Sequence, residues 1–186
     1  KTSQPPPGDF RRQFEFLGSH FDSVVSVNLS RQVSGTCGAA EAAAARVSTH
    51  GKVTVLDSMN ASLGQGLVAM YAAECALAGY DAARVIEATR AIVPRTLTFG
   101  LVGSLEYAVR GGRVPRWVKN VADALQLMPV LHNDRKGRVT AGGVLFGRER
   151  LKHLATKRGF LLFSASDLAR GEGFFARHGN KIVLLG

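Results

Sequence analysis

A chain of 186 residues with 46% apolar and 20% charged residues can bury one substantial core or two modest lobes, and it is not disordered as a whole. Its 24 Lys and Arg against 14 Asp and Glu leave a formal charge of +10, a field that draws anions without saying which kind. The basic residues are scattered, with one cluster at Arg110, Arg113, Arg116 and Lys119 and another at Arg148, Arg150, Lys152, Lys157 and Arg158. A single Trp and no recognition-helix signature argue against nucleic acid. Cys37 and Cys75 lie in Ala-rich segments without metal-type spacing, which predicts reduced core thiols and a cytoplasmic protein. No apolar run approaches the roughly 18 residues of a membrane span, and the first residues do not read as a secretory signal.

In chain order, "KTSQPPPGDF" opens as a proline-stiffened loop. Phe10, Phe14 and Leu17 follow at helical spacing, with Asp9 expected as the N-cap and Gly18 as the stop. "SVVSVNLS" reads as a buried strand, "AAEAAAARV" as a helix and "KVTVLDS" as a second strand. The segment "SLGQGLVAMYAAECALAGY" is a long apolar helix and "DAARVIEATRAIV" an amphipathic one capped by Asp81, before the strand "RTLTFGLV". Strand alternating with helix predicts parallel strands flanked by helices on both faces. Beyond "GSLEYAVRGGRVP", "RWVKNVADALQL" is helical, and "MPVLHNDRKGRVTAGGVLFG" reads as two strands joined by a turn at Asp134 to Gly137. After that come the helix "RERLKHLATKRG", the strand "FLLFSAS", the helix "DLARGEGFFARHG" and the strand "KIVLLG". The expected architecture is α/β in two lobes: a parallel sheet with flanking helices over residues 1–102, and a smaller α+β lobe over 103–186.

Ligands of parallel sheets bind at the carboxyl ends of the strands. At one such end stands "VNLSRQVSGTCG", where Ser30, Ser34, Gly35 and Thr36 offer hydroxyls and a helix amino terminus to an oxyanion, or where Ser34 simply caps its helix. One strand later, "LDSMNASLGQGL" brings Asp57, Ser58 and Ser62 to a strand end ahead of two glycines, yet it matches neither common phosphate-loop pattern. In "LEYAVRGGRVP", Arg110 and Arg113 flank a glycine pair, which suits either a shared anion or an ordinary helix end. There is no G-x-S-x-G elbow and no H-E-x-x-H; His20, His50, His132, His153 and His178 read as surface positions without a local partner. An α/β enzyme acting on a small phosphorylated or carboxylated metabolite, with Ser34 or Asp57 catalytic, is the competing expectation, and it lacks a base.

Taken in order, "TSQPPPGDF", "SVNLSRQVSGT", "VLDSMNASLGQGL", "SLEYAVRGGRV", "LQLMPVL" and "GRVTAGGVLFGRERL" resemble the DegV family of bacterial lipid-binding proteins. The resemblance implies a two-lobed protein that encloses one long-chain fatty acid as its ligand, with no other cofactor. It further implies a partner, an ATP-dependent fatty acid kinase related to dihydroxyacetone kinases, that phosphorylates the presented carboxylate for phospholipid synthesis. This chain is then a binding subunit rather than the enzyme. Carried across by motif, Thr2 and Ser34 are the carboxylate contacts, Arg113 and then Arg110 stand near the head group or the partner surface, and Ser3, Gly35, Thr36 and Ser62 shape the pocket. Transient contact with an anionic membrane is a further use for the positive charge. The family pattern also includes an amino-terminal βαβ segment with an Asp-Ser motif and a closing Gly-rich loop with a His. Neither is found here, so the chain is expected to be a fragment, and His178 is not given that role.

Overall fold

The computed structural model describes residues 3–48, 51–112 and 114–146. Thr2 and Arg113, and all the elements expected after residue 147, the closing strand "KIVLLG" included, lie outside the described residues. Helix α1 spans Pro7–His20, strand β1 Val24–Asn28, helix α2 Thr36–Ala44, strand β2 Val53–Asp57, helix α3 Ser62–Leu77 and helix α4 Ala82–Ile92. Strand β3 (Phe99–Leu101), helix α5 (Glu106–Arg110), helix α6 (Arg116–Ala124) and strands β4 (Leu127–Asn133) and β5 (Val139–Phe146) follow. Among the described residues the chain sorts into two compact units, one built on the chain up to Phe99 together with His132–Thr140, the other on Gly100–Leu131 and residues 141–146. Strands β3, β4 and β5 form a sheet in that order.

In the first unit β1 and β2 pair in parallel, with Val24 level with Val53 and Asn28 level with Asp57. Alternate strand residues point to opposite faces, so each face needs its own apolar cover. On one side Val24, Val53 and Val55 join Phe10 and Phe14 of α1, Ala39, Ala40 and Ala43 of α2, and Val47. The alanines explain the closeness of this layer, because a helix face without long side chains lets the two phenylalanine rings lie against it. On the other side Val25 and Val27 join Val68, Ala72 and Cys75 of α3, with Val85 of α4 and Val93. The sequence expectation of parallel strands with helices on both faces is met.

Two expected details differ. Gly18 does not stop α1; it is buried inside the helix, its carbonyl accepts from Lys52 Nζ at 3.0 Å, and the helix ends where Phe21 turns extended. The intrinsic cost of a helical glycine, ~1 kcal/mol, is small enough for tertiary contacts to override. Asp9 is not the N-cap, which is Pro6; Asp9 sits in the first turn and pairs with Arg12 at 2.5 Å. Asp81 does cap α4, accepting from the Arg84 N–H at 2.8 Å.

Phe14 is fully buried, whereas Phe16 on the same helix is 59% exposed. Phe14→Ala is expected to lower unfolding stability by about 3–5 kcal/mol. Phe16→Ala is expected to change it by no more than ~0.5 kcal/mol, so paired denaturant melts of the two variants test the packing of α1.

Candidate functional site

Because Asn28 and Asp57 are level, the loops that follow β1 and β2 start side by side at the carboxyl edge of the sheet. The Ser58 N–H donates to the Asn28 carbonyl at 2.9 Å, and the Ser30 N–H to the Asn60 carbonyl at 2.7 Å. The Ser30 carbonyl then accepts from the Val33 and Ser34 N–H groups at 3.0 and 3.1 Å, which winds the loop into the start of α2. At that start the Ser34 and Thr36 hydroxyls lie 2.8 Å apart, and Ser34 Oγ also accepts from the Thr36 N–H at 3.3 Å. Gly35, not Ser34, occupies the N-cap position. Ser34 therefore braces the first turn and keeps its hydroxyl beside that of Thr36, where the N–H groups of a helix amino terminus favour an anion.

A residue unmarked by sequence reasoning joins this group. The Gln4 side chain occupies the space that a Cβ on Gly35 would need, so the Ser-Gln-Pro loop and the Ser-Gly-Thr turn meet there. Ser3, next to Gln4, is exposed. Ser62 opens α3 with φ of +54°, exposed, and is not hydrogen-bonded to the Ser34–Thr36 pair. Arg110 lies on α5 in the other unit and pairs with Glu106 at 2.7 Å.

Beneath the loops lies a layer of buried amides and hydroxyls. Asn60 donates to the Ser58 and Thr96 carbonyls at 2.9 and 3.2 Å and accepts from the Thr98 hydroxyl at 2.9 Å. Asn133, at the end of β4, accepts from the Thr98 N–H at 2.5 Å and donates to the Met59 carbonyl at 3.2 Å. Met59 has φ of +51°, a left-handed conformation that a residue with a side chain adopts only when its surroundings insist on it. They do: its carbonyl is taken by Asn133, and its N–H donates to Asp57 Oδ1 at 2.8 Å. No sequence pattern marks Asn60 or Asn133, since their partners lie up to 74 residues away.

Asp57 is occupied on both oxygens, its Oδ2 accepting from Arg31 Nε at 3.0 Å. Arg31 also reaches Glu41 at 2.8 Å, and these two carboxylates, Glu41 first, raise its already high pKa. Burial pushes the Cys37 thiol up, so it stays protonated at neutral pH. His132 is half-buried rather than at the surface; Nε2 lies 3.1 Å from the Thr140 hydroxyl and Nδ1 3.1 Å from the Asn133 carbonyl. Cys37 and Cys75 are buried free thiols, as expected. Among the described residues no group of His, Cys, Asp and Glu is placed to hold a metal ion, and no helix is long and apolar enough to cross a membrane.

The second unit carries an open groove of about 660 Å³ lined by Glu106, Val109, Arg110, Arg116, Lys119 and Asn120. Arg110, and then Lys119, hold the Glu106 carboxyl below its usual range. Beside the groove Tyr107 is 78% and Trp117 68% exposed, and Val121 and Leu125 continue the Trp117 stripe at helical spacing.

An α/β unit whose strand ends deliver hydroxyls and a helix amino terminus to one edge has the layout at which parallel sheets take their ligands. Residues 1–158 match the family profile described as "Uncharacterised protein, DegV family", and the chain belongs to that family. It is 34% identical over 185 residues to a DegV domain-containing protein of Listeria monocytogenes, covering 98% of this chain and 63% of that one. It is similar to a structure titled as fatty acid binding of a DegV family protein from Thermus thermophilus, with TM-score 0.69, 30% identity, and coverage of 94% and 57% of the two chains. A second similar structure is DegV, a fatty acid binding protein from Bacillus subtilis, with TM-score 0.67, 30% identity, and coverage of 83% and 56%. The chain thus spans a little over half the length of these relatives.

The turn between β4 and β5 titrates. Asp134 Oδ1 accepts from the Lys136 and Arg138 N–H groups at 2.8 and 2.9 Å, and Oδ2 from Arg138 Nε at 2.9 Å. These bonds, the Arg138 N–H first, lower its pKa. A lowered folded-state pKa means that the stabilisation is complete above the unfolded value of about 3.9 and is lost as pH falls through the folded one. Amide exchange at Lys136 and Arg138 is expected to stay slow from neutral pH down to about pH 4 and to accelerate below it, beyond the change in intrinsic exchange. In Asp134→Asn that acid transition is expected to disappear.

Proposed function

We propose that this protein binds a long-chain fatty acid, holds its carboxylate at the Ser34–Thr36 turn, and presents it to an ATP-dependent kinase that forms the acyl phosphate. The observation that carries the reading is the meeting of the Ser-Gln-Pro loop and the Ser-Gly-Thr turn at Gly35, at the amino terminus of α2. Two loops distant in sequence converge there on a site that suits an oxyanion. Thr2 and Ser34 are the proposed carboxylate contacts; Ser3, Gly35, Thr36 and Ser62 shape the surroundings, and Arg113 and Arg110 serve the head group or the partner. An acyl chain gains about 0.8 kcal/mol for each buried methylene, so the tail supplies most of the affinity and the hydroxyls supply orientation. The named binding of fatty acids by the Thermus thermophilus and Bacillus subtilis relatives supports the ligand class. The competing enzyme reading loses ground at Asp57, whose oxygens are committed to Arg31 and Met59.

Full-length protein purified from bacteria is expected to carry a long-chain fatty acid detectable by mass spectrometry after denaturation. Thr2→Ala combined with Ser34→Ala is expected to reduce its retention by about tenfold or more at unchanged fold, consistent with ~1.5–3 kcal/mol for lost hydrogen bonds to a charged group. Absence of lipid together with no thermal shift on adding oleate would sink the proposal.

The route of delivery is part of the same reading. The cations of the α5–α6 groove beside the exposed Tyr107, Trp117, Val121 and Leu125 suit transient contact with an anionic leaflet, where aromatic rings sit at head-group level. The chain has one Trp, so its emission reports on this face. Emission is expected to shift to the blue with phosphatidylglycerol vesicles and to stay unchanged with phosphatidylcholine. The shift is expected to vanish in the double variant Arg116→Glu, Lys119→Glu; an equal response to both lipids counts against the contact.

A further inference from the structure

The tip of the β4–β5 hairpin is far from the Ser34 turn in sequence, yet it is bonded to the residue on which that turn is built. Ser30 is 1% exposed, and all of its polar atoms are in use. Its hydroxyl donates to the Gly137 carbonyl at 2.6 Å and accepts from the Gln32 N–H at 3.2 Å. Its N–H is held by Asn60, and its carbonyl carries the Val33 and Ser34 amides. Gly137 has φ of +78°, and a Cβ there would lie 2.5 Å from Ser30 Oγ and 3.1 Å from Met59 Cα, so the contact requires glycine on both counts. The other end of the tip is tied down independently, by Asn133 to Thr98 and Met59. Asp134 closes the turn between these anchors through the Lys136 and Arg138 amides.

We infer that the hairpin tip positions the Ser34–Thr36 donors, with Ser30 as the positioning residue through which it acts. The inference rests on the head-group reading above. Ser30 touches no ligand in this scheme; its bond to Gly137 sets the height of the loop whose last amide is that of Ser34. The tip meets the loops after β1 and β2 together, Gly137 lying against both Ser30 and Met59 while Asn133 bonds the Met59 carbonyl, so it fixes both strand-end loops at once. A ligand that needs the Ser34 and Thr36 hydroxyls in register gains from this bracing, whereas one held only by its tail does not.

The test compares oleate with oleyl alcohol, which shares the tail and lacks the carboxylate, each displacing cis-parinaric acid from full-length protein. Ser30→Ala is expected to weaken oleate about tenfold, in line with loss of one buried hydrogen bond, and to leave oleyl alcohol within about twofold of wild type. Equal loss of both ligands marks a merely structural role and overturns the inference, as does unchanged oleate affinity. If Ser30→Ala fails to fold, Gly137→Ala, which displaces the Ser30 hydroxyl, is read in the same way: selective loss of oleate supports the inference, and unselective or no loss overturns it. Wild-type protein that binds neither ligand overturns the fatty-acid reading itself. Wild-type binding with an unselective variant overturns the positioning role alone.

Discussion

The level register of β1 and β2 is the constraint on which the rest of the first unit depends. With Asn28 opposite Asp57, the two strands end together, and both following loops must find partners for their backbone groups in the same small volume. They find them in each other, through Ser58 to Asn28 and Ser30 to Asn60. A slip of one residue would turn Val25 and Val27 away from the α3–α4 side and would separate these loop bonds. The apolar layers and the polar edge are thus two consequences of one pairing.

The polar edge is buried, and that sets its character. Amides and hydroxyls shielded from water are costly unless paired, and among the described residues no buried side-chain nitrogen or oxygen lacks a partner. Asn60, Thr98 and Asn133 complete one another, while Asp57 is shared between Arg31 and the Met59 amide. A network this fully satisfied is stiff, which lets it hold Met59 in a left-handed conformation. Above that layer the loop from Ser30 leads into the Ser34–Thr36 turn, where Ser34 is half-buried, Gly35 exposed and Thr36 buried.

Family membership was legible in the sequence because its motifs are local. Loops such as "SVNLSRQVSGT" and "VLDSMNASLGQGL" need particular small, polar and glycine residues at fixed offsets, and those offsets can be read along the chain. The helix stop expected at Gly18 illustrates the opposite case. Propensity alone ends α1 there, but burial of Gly18 and the Lys52 contact carry the helix on to His20. His132 likewise reads as a surface residue until Phe99, Thr140 and its own strand half-bury it.

The sequence by itself determined the alternation of strands and helices, the Asp81 cap, the hairpin turn at Asp134 to Gly137, and the hydroxyls at the start of α2, because each depends on residues within a few positions of one another. Only the tertiary structure decided that Gln4 meets Gly35, that Asn133 reaches Met59, and that Gly137 is seated against Ser30. Those contacts join residues as far as 107 positions apart, and they arise because unpaired buried polar groups are costly wherever along the chain their partners lie.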